Sequence, residues 1–233
     1  MNCCFRQMRY QSSKLQIFEH NCSACCISSS FGLILHINFS EMNYLAHAYL
    51  SFGFDDLMIG NYIADTVKGK HDRFPESIRE GIRLHHLIDE FTDSNSHFRR
   101  SVSRIDPGFG LYATIIVDMF YDHFLAANWG RYSKVPLPKF AEKVYATLLA
   151  KFEILPPRMK RMLPHMFTSN WLLYYSDANS FNHFFKGLAR RTRFAPDLAK
   201  AAHQINEHYD ELNADFLAFM DEMIPYVKNL NII

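Results

Sequence analysis

The sequence predicts an all-α protein built as a single-domain multi-helix bundle. Three observations carry this. Glycine is scarce, at 9 of 233 residues, which speaks against a glycine-punctuated β protein. Nearly half the residues are apolar (48%), with 21 Phe and 12 Tyr, so one chain of this length can bury a sizeable core. From Met42 onward the apolar residues recur at helical spacing almost throughout, with breaks at proline-bearing stretches.

Composition also excludes several functions. No GxGxxG or P-loop pattern is present, so no nucleotide-cradling loop is expected. The formal net charge of +1 supplies no basic excess for nucleic acid. Residues 1–41 read as a poorly ordered extension, and the functional domain as 42–233. The apolar run Phe31 to Phe39 is too short to span a bilayer, and it comes too late for a signal peptide. All five cysteines (Cys3, Cys4, Cys22, Cys25 and Cys26) lie in this extension. They form neither a disulfide framework nor a paired zinc motif. A cysteine-free body fits a reducing cytoplasm.

Taken in order, the body begins with apolar Asn43 to Leu50, which carries His47. Met58 to Val67 carries Gly60, Asn61 and Asp65 in an otherwise apolar segment. After the break at Arg73 to Ser77, where Pro75 suits a first turn, a helix runs from Ser77 to about Phe91. His85, Asp89 and Asp93 stand four apart around its end and share one side. Leu111 to Trp129 is apolar on nearly every side, so it is expected to be buried. Yet it holds Asp118, Asp122 and His123. Buried carboxylates of like charge need a cation, a proton or a metal between them. Phe140 to Phe152 is amphipathic, Met159 to Met166 basic and Met-rich, and Asn179 to Phe194 mixes Phe with Lys186, Arg190, Arg191 and Arg193. A last helix is expected from Pro196 to about Met223, with His203, His208, Asp210 and Asp215 on its surface.

The polar residues stranded in apolar helices are His47, Asp65, His85, Asp89, Asp93, Asp118, Asp122 and His123. Helical domains build metal sites from inward-facing carboxylates and imidazoles on neighbouring helices. Oxygen-rich donors with a few imidazoles favour Mn²⁺, Mg²⁺ or Fe²⁺. Such an ion can polarise a phosphoryl oxygen and generate hydroxide, so phosphoester hydrolysis is the natural reaction class. Two alternatives stay open: a metal phosphohydrolase acting on nucleotides, and a non-enzymatic helical binding protein whose acids pair with arginines.

Four stretches resemble the acyl carrier protein phosphodiesterase family. They are Met42-Asn43-Tyr44-Leu45-Ala46-His47; Gly60-Asn61-Tyr62-Ile63-Ala64-Asp65; Gly81 to Ser94; and Asp118 to Leu125. The resemblance implies an all-helical fold related to HD-type metal phosphohydrolases. It implies Mn²⁺-dependent removal of 4′-phosphopantetheine from holo acyl carrier protein, an acidic protein substrate. By motif position it implies that His47, Asp65, His85, Asp89, Asp122 and His123 line the metal site, with Asp65, His85 and Asp89 catalytic. Basic clusters at Arg99-Arg100, at Arg158, Lys160 and Arg161, and at Arg190, Arg191 and Arg193 are candidates for docking the acidic partner.

Overall fold

The computed structural model of the protein describes residues 9–11, 14–16, 43–67, 69, 71–189, 197–230 and 232. The chain divides into two units, Met1–Leu35 and His36–Ile233. In the first, β1 (Arg9–Gln11) pairs antiparallel with β2 (Lys14–Gln16), Tyr10 lying opposite Leu15. Most of the extension, and with it the expectation of poor order, lies outside the described residues. Among the described residues this ribbon is the only β structure.

The second unit is helical, as the composition and periodicity predict. Its helices in order are α1 (Tyr44–Tyr49), α2 (Asp55–Ile63), α3 (Glu76–Ser94), α4 (Ser96–Arg104), α5 (Tyr112–Ala127) and α6 (Trp129–Tyr132). Then come α7 (Leu137–Ala150), α8 (Pro157–Thr168), α9 (Trp171–Tyr174), α10 (Ser180–Ala189), α11 (Ala201–Glu207) and α12 (Tyr209–Lys228). No helix among the described residues is long and apolar enough to cross a membrane.

The helix that carries the site is α3. Ile78, Ile82 and His85 are buried, and with Asp89 they follow one stripe at four- and three-residue steps. The stripe that packs α3 into the core therefore delivers the imidazole and the carboxylate to its end. Pro75 stands just before the helix rather than inside its first turn. Its carbonyl accepts the N–H groups of Ile78 and Arg79 at 3.1 and 3.0 Å. Asn95 ends α3 and starts α4, its side chain accepting from the N–H groups of His97 and Phe98.

The helices α2 and α3 meet backbone to backbone. A Cβ at Gly60 would lie 2.7 Å from the Gly81 Cα, and one at Gly81 would lie 2.8 Å from the Gly60 Cα. Only glycine at both positions permits this approach. It sets Asp65, which follows Gly60, beside His85, which follows Gly81.

The expected burial of α5 holds: Ile116, Val117, Phe120, Phe124 and Leu125 have no accessible surface. Each such side chain contributes roughly 1.5–3 kcal/mol on burial. Two expectations for the C-terminal region change. The single last helix is two, broken at His208, whose φ of −129° leaves the helical range. Asp215, expected on the surface, is buried. It accepts from Arg100 Nε at 2.6 Å, Arg104 Nε at 3.3 Å and the Ser101 hydroxyl at 3.2 Å. These partners lie on α4, more than a hundred residues away, and they neutralise and solvate a carboxylate that burial alone would exclude.

Candidate metal centre

Four of the residues singled out by sequence meet between α1, α3 and the turn after α2. His47 on α1 stacks on His85 of α3, their ring centroids 4.2 Å apart. Asp89 straddles the pair, with Oδ1 3.4 Å from His47 Nε2 and Oδ2 3.2 Å from His85 Nε2. One donor atom from each of His47, His85 and Asp89 falls within 4.8 Å of the others. Asp65, in the 3-10 turn Ala64–Thr66, comes within 3.3 Å of His85 Nε2 from its own side. It touches His85 but stands outside that three-residue set.

The state of these donors is the test of whether an ion fits. His47 Nε2 and both ring nitrogens of His85 are buried and make no well-formed hydrogen bond. Buried polar atoms without such a bond are costly, and they point to a missing partner. Donors bound to one ion at about 2.1 Å and at right angles stand about 3.0 Å apart, close to the separations here. Two imidazoles and one carboxylate leave further coordination positions open, the arrangement of a catalytic rather than a structural site.

Asn61 fixes the tautomer of His47. Its Nδ2 donates to the His47 carbonyl at 2.8 Å and to Ser51 Oγ at 3.2 Å, so its Oδ1 is the free acceptor. That oxygen lies 2.6 Å from His47 Nδ1, which must therefore donate. The Nε2 lone pair is left facing Asp89 and His85. This outer partner was missed from sequence as a site residue, although its position four before Asp65 in an apolar helix was a signal. Asn61→Ala should weaken Mn²⁺ binding by roughly 10- to 100-fold, the usual effect of losing such a partner. Competition against a chromophoric chelator measures this, and an unchanged affinity would contradict the assignment.

Electrostatics match the geometry. Burial opposes charge on His85, but the Asp65 and Asp89 carboxylates raise its pKa from 6.5 to about 10. Burial likewise works against charge on Asp89, while His47 and His85 hold it well below the usual carboxylate range. Without metal, His85 therefore carries a proton that an incoming ion must displace. The raised pKa stabilises the metal-free fold fully below about pH 6.5, and this is lost as pH rises through about 10. Urea unfolding of chelator-treated protein across that range should show a decline that His85→Gln lacks. Equal slopes in both proteins would contradict it.

The other two expected ligands lie elsewhere. Asp122 accepts from the N–H groups of Leu45 at 2.9 Å and Ala46 at 2.8 Å, one to each oxygen. It also bonds the Tyr175 hydroxyl. Burial pushes it up to about 7 against the pull of these donors. Asp122 thus caps α1 from another helix, where Asn43 makes no side-chain cap. A six-residue helix is too short to persist alone, so this clamp holds His47 in place. His123 Nδ1 donates to the Tyr175 carbonyl at 2.7 Å, and its Nε2 accepts from the Tyr209 hydroxyl at 3.2 Å. Both of its ring nitrogens thus face protein partners rather than His47, His85 and Asp89.

Asp93, one turn beyond Asp89, is exposed. Asp118, half-buried one turn before Asp122, is pushed well above the usual range by burial and by the carboxylates of Asp89, Asp122, Asp93 and Asp65.

Comparison with known proteins agrees with the sequence motifs. The family model described as acyl carrier protein phosphodiesterase matches residues 42–223. A protein of that name from Enterobacter sp. (strain 638) is 28% identical over 190 residues, covering 81% of this chain and 98% of that protein. One from Yersinia enterocolitica is 28% identical over 193 residues, covering 82% and 100%. One from Shigella boydii serotype 18 is 30% identical over 200 residues, covering 81% and 98%. No solved structure matches. The chain belongs to the acyl carrier protein phosphodiesterase family.

Proposed function

We propose that this protein is a metal-dependent phosphodiesterase that hydrolyses 4′-phosphopantetheine from holo acyl carrier protein, leaving the apo form. The observation that carries the metal dependence is the convergence of His47, His85 and Asp89 donors that lack well-formed hydrogen bonds. Family membership carries the reaction and the partner. We assign the catalytic domain to residues 42–233 and the location to the cytoplasm.

His47, His85 and Asp89 would hold the ion. Two imidazoles beside a carboxylate suit Mn²⁺ or Fe²⁺ better than Mg²⁺, which prefers oxygen donors. When bound, the ion acts as a Lewis acid towards the phosphoryl oxygens and lowers the pKa of a bound water towards 7. The chain's own residues orient and hold. Asn61 keeps the His47 Nε2 lone pair turned inward, Asp65 positions His85, and Asp122 anchors the helix that bears His47.

For the acidic partner, the basic clusters differ in availability. Arg100 is committed to Asp215, and Arg99 donates to the Asp93 carbonyl at 2.8 Å. Lys160 donates to the Glu153 carbonyl at 2.8 Å, while Arg161 is exposed. Arg190, Arg191 and Arg193 lie outside the described residues. Reversing Arg190 and Arg191 to Glu should raise KM for holo carrier protein and spare a small phosphodiester. Equal effects on both substrates would remove this cluster from docking.

The reaction itself is tested by mass. Holo carrier protein incubated with the enzyme and Mn²⁺ should lose the phosphopantetheine mass, and a chelator should abolish that loss. An unchanged mass with metal present would overturn the proposal.

A further inference from the structure

Solvent reaches the metal centre past Asp89. The His47 and His85 side chains are only 3% and 5% accessible, whereas that of Asp89 is 43% accessible. On this open edge stands His86, the exposed neighbour of His85. Its ring meets the His85 ring edge to face, with centroids 5.6 Å apart and planes at 82°. Asp89 follows it by three residues, so the two share a side of α3. The Asp65 and Asp89 carboxylates and the His71 ring are close enough to act on its charge. Yet His86 makes no hydrogen bond or ion pair among the described residues. The guanidinium groups of the same helix are already paired. Arg79 pairs with Glu76, and Arg83 donates to Glu80 from Nε at 2.9 Å and Nη2 at 2.7 Å.

We propose that His86 contacts the substrate, its ring N–H donating a hydrogen bond to a non-bridging oxygen of the scissile phosphodiester. This rests on the function proposed above. A phosphodiester spreads one negative charge over two such oxygens. An ion held by His47, His85 and Asp89 attracts one of them. The open edge is otherwise lined by the Asp65 and Asp89 carboxylates, which repel an anion and, when ionised, donate no hydrogen bond. His86 supplies the donor that this edge lacks. An imidazole carries at least one N–H whether neutral or protonated, so the contact needs neither proton transfer nor a particular charge on His86. Donors aimed at the oxygens of a transferring phosphoryl group stabilise its transition state. The Asn61-held His47 and the Asp65-braced His85 would then face the ion, and His86 the substrate.

Kinetics and binding on the full chain test this. His86→Ala should lower kcat/KM roughly 10- to 100-fold, the usual worth of a hydrogen bond to a charged group. The loss should be similar for holo carrier protein and for bis(p-nitrophenyl) phosphate, because both present a diester to the same edge. His86→Gln keeps an N–H donor and should recover most of it. Mn²⁺ affinity, read by electron paramagnetic resonance, should stay native in both variants. Inorganic phosphate should bind Mn²⁺-loaded His86→Ala roughly tenfold more weakly by calorimetry. Native activity in His86→Ala would overturn the contact and leave the function standing. A fall in Mn²⁺ affinity that matches the fall in activity would also overturn it, since His86 would then act only by bracing His85. If the native chain leaves holo carrier protein uncleaved, the proposed function falls and phosphate binding decides. Weaker binding in His86→Ala then supports the contact, and equal or absent binding overturns it.

Discussion

Asp89→Asn is expected to lower kcat/KM for phosphopantetheine release at least about a thousandfold, or ~4 kcal/mol of transition-state stabilisation. Asp89 offers one oxygen to each imidazole, at 3.4 and 3.2 Å. Asparagine keeps the shape but removes the negative charge and replaces one acceptor with a donor. The centre then lacks its carboxylate, and two imidazoles hold a hard ion poorly. The fold should survive, because Asp89 is half-exposed and its side chain is 43% accessible. A metal-free variant should therefore melt within a few degrees of the native chain. Near-native activity in Asp89→Asn would remove this carboxylate from the reaction. Loss of activity together with loss of the fold would make its role structural.

Gly60→Ala and Gly81→Ala should each destabilise the protein by about 3 kcal/mol, the upper end for overpacking. For a domain of this size that lowers Tm by roughly 6–12 °C. The new methyl group at Gly60 would meet the Gly81 backbone at 2.7 Å, and that at Gly81 would meet the Asn61 nitrogen at 2.9 Å. Backbone atoms cannot swing aside as a flexible side chain can. The sign is diagnostic, since Gly→Ala in an unconstrained helix stabilises by about 0.5–1 kcal/mol. The crossing also sets the site, with Asn61 one residue past Gly60 and His85 one turn past Gly81. Activity should fall even below the melting temperature. A stabilised and active variant would contradict the close crossing.

The heart of the site was legible because it is local. The spacing of His85 and Asp89 on an apolar helix needs only helical periodicity to be read. Burial of α5 was legible for the same reason. What sequence could not supply was the partner of each buried acid. Asp122 sits in an apolar helix, and like-charged neighbours made a cation the natural complement. Its complement is instead the amide end of α1, some 77 residues earlier in the chain. An N-terminal turn with uncapped N–H groups satisfies a carboxylate as a cation would. Asp215 failed in the opposite direction. Without a common stripe it read as a surface residue, but Arg100 and Arg104 reach it from α4. Both contacts are long-range pairings, which periodicity does not encode. The family motifs pointed to His47 and Asp65, which lie with His85 and Asp89, and to Asp122 and His123, which bond Leu45 and Ala46 and Tyr175 and Tyr209 respectively.

The central claim is that His47, His85 and Asp89 hold one divalent ion. Electron paramagnetic resonance of Mn²⁺ titrated into the metal-free native chain and into His47→Ala tests it. One tightly bound Mn²⁺ per native chain is expected, with its signal broadened out of the free-ion spectrum. The site in His47→Ala should be at least tenfold weaker. Equal binding by both proteins, or none by the native chain, would contradict it.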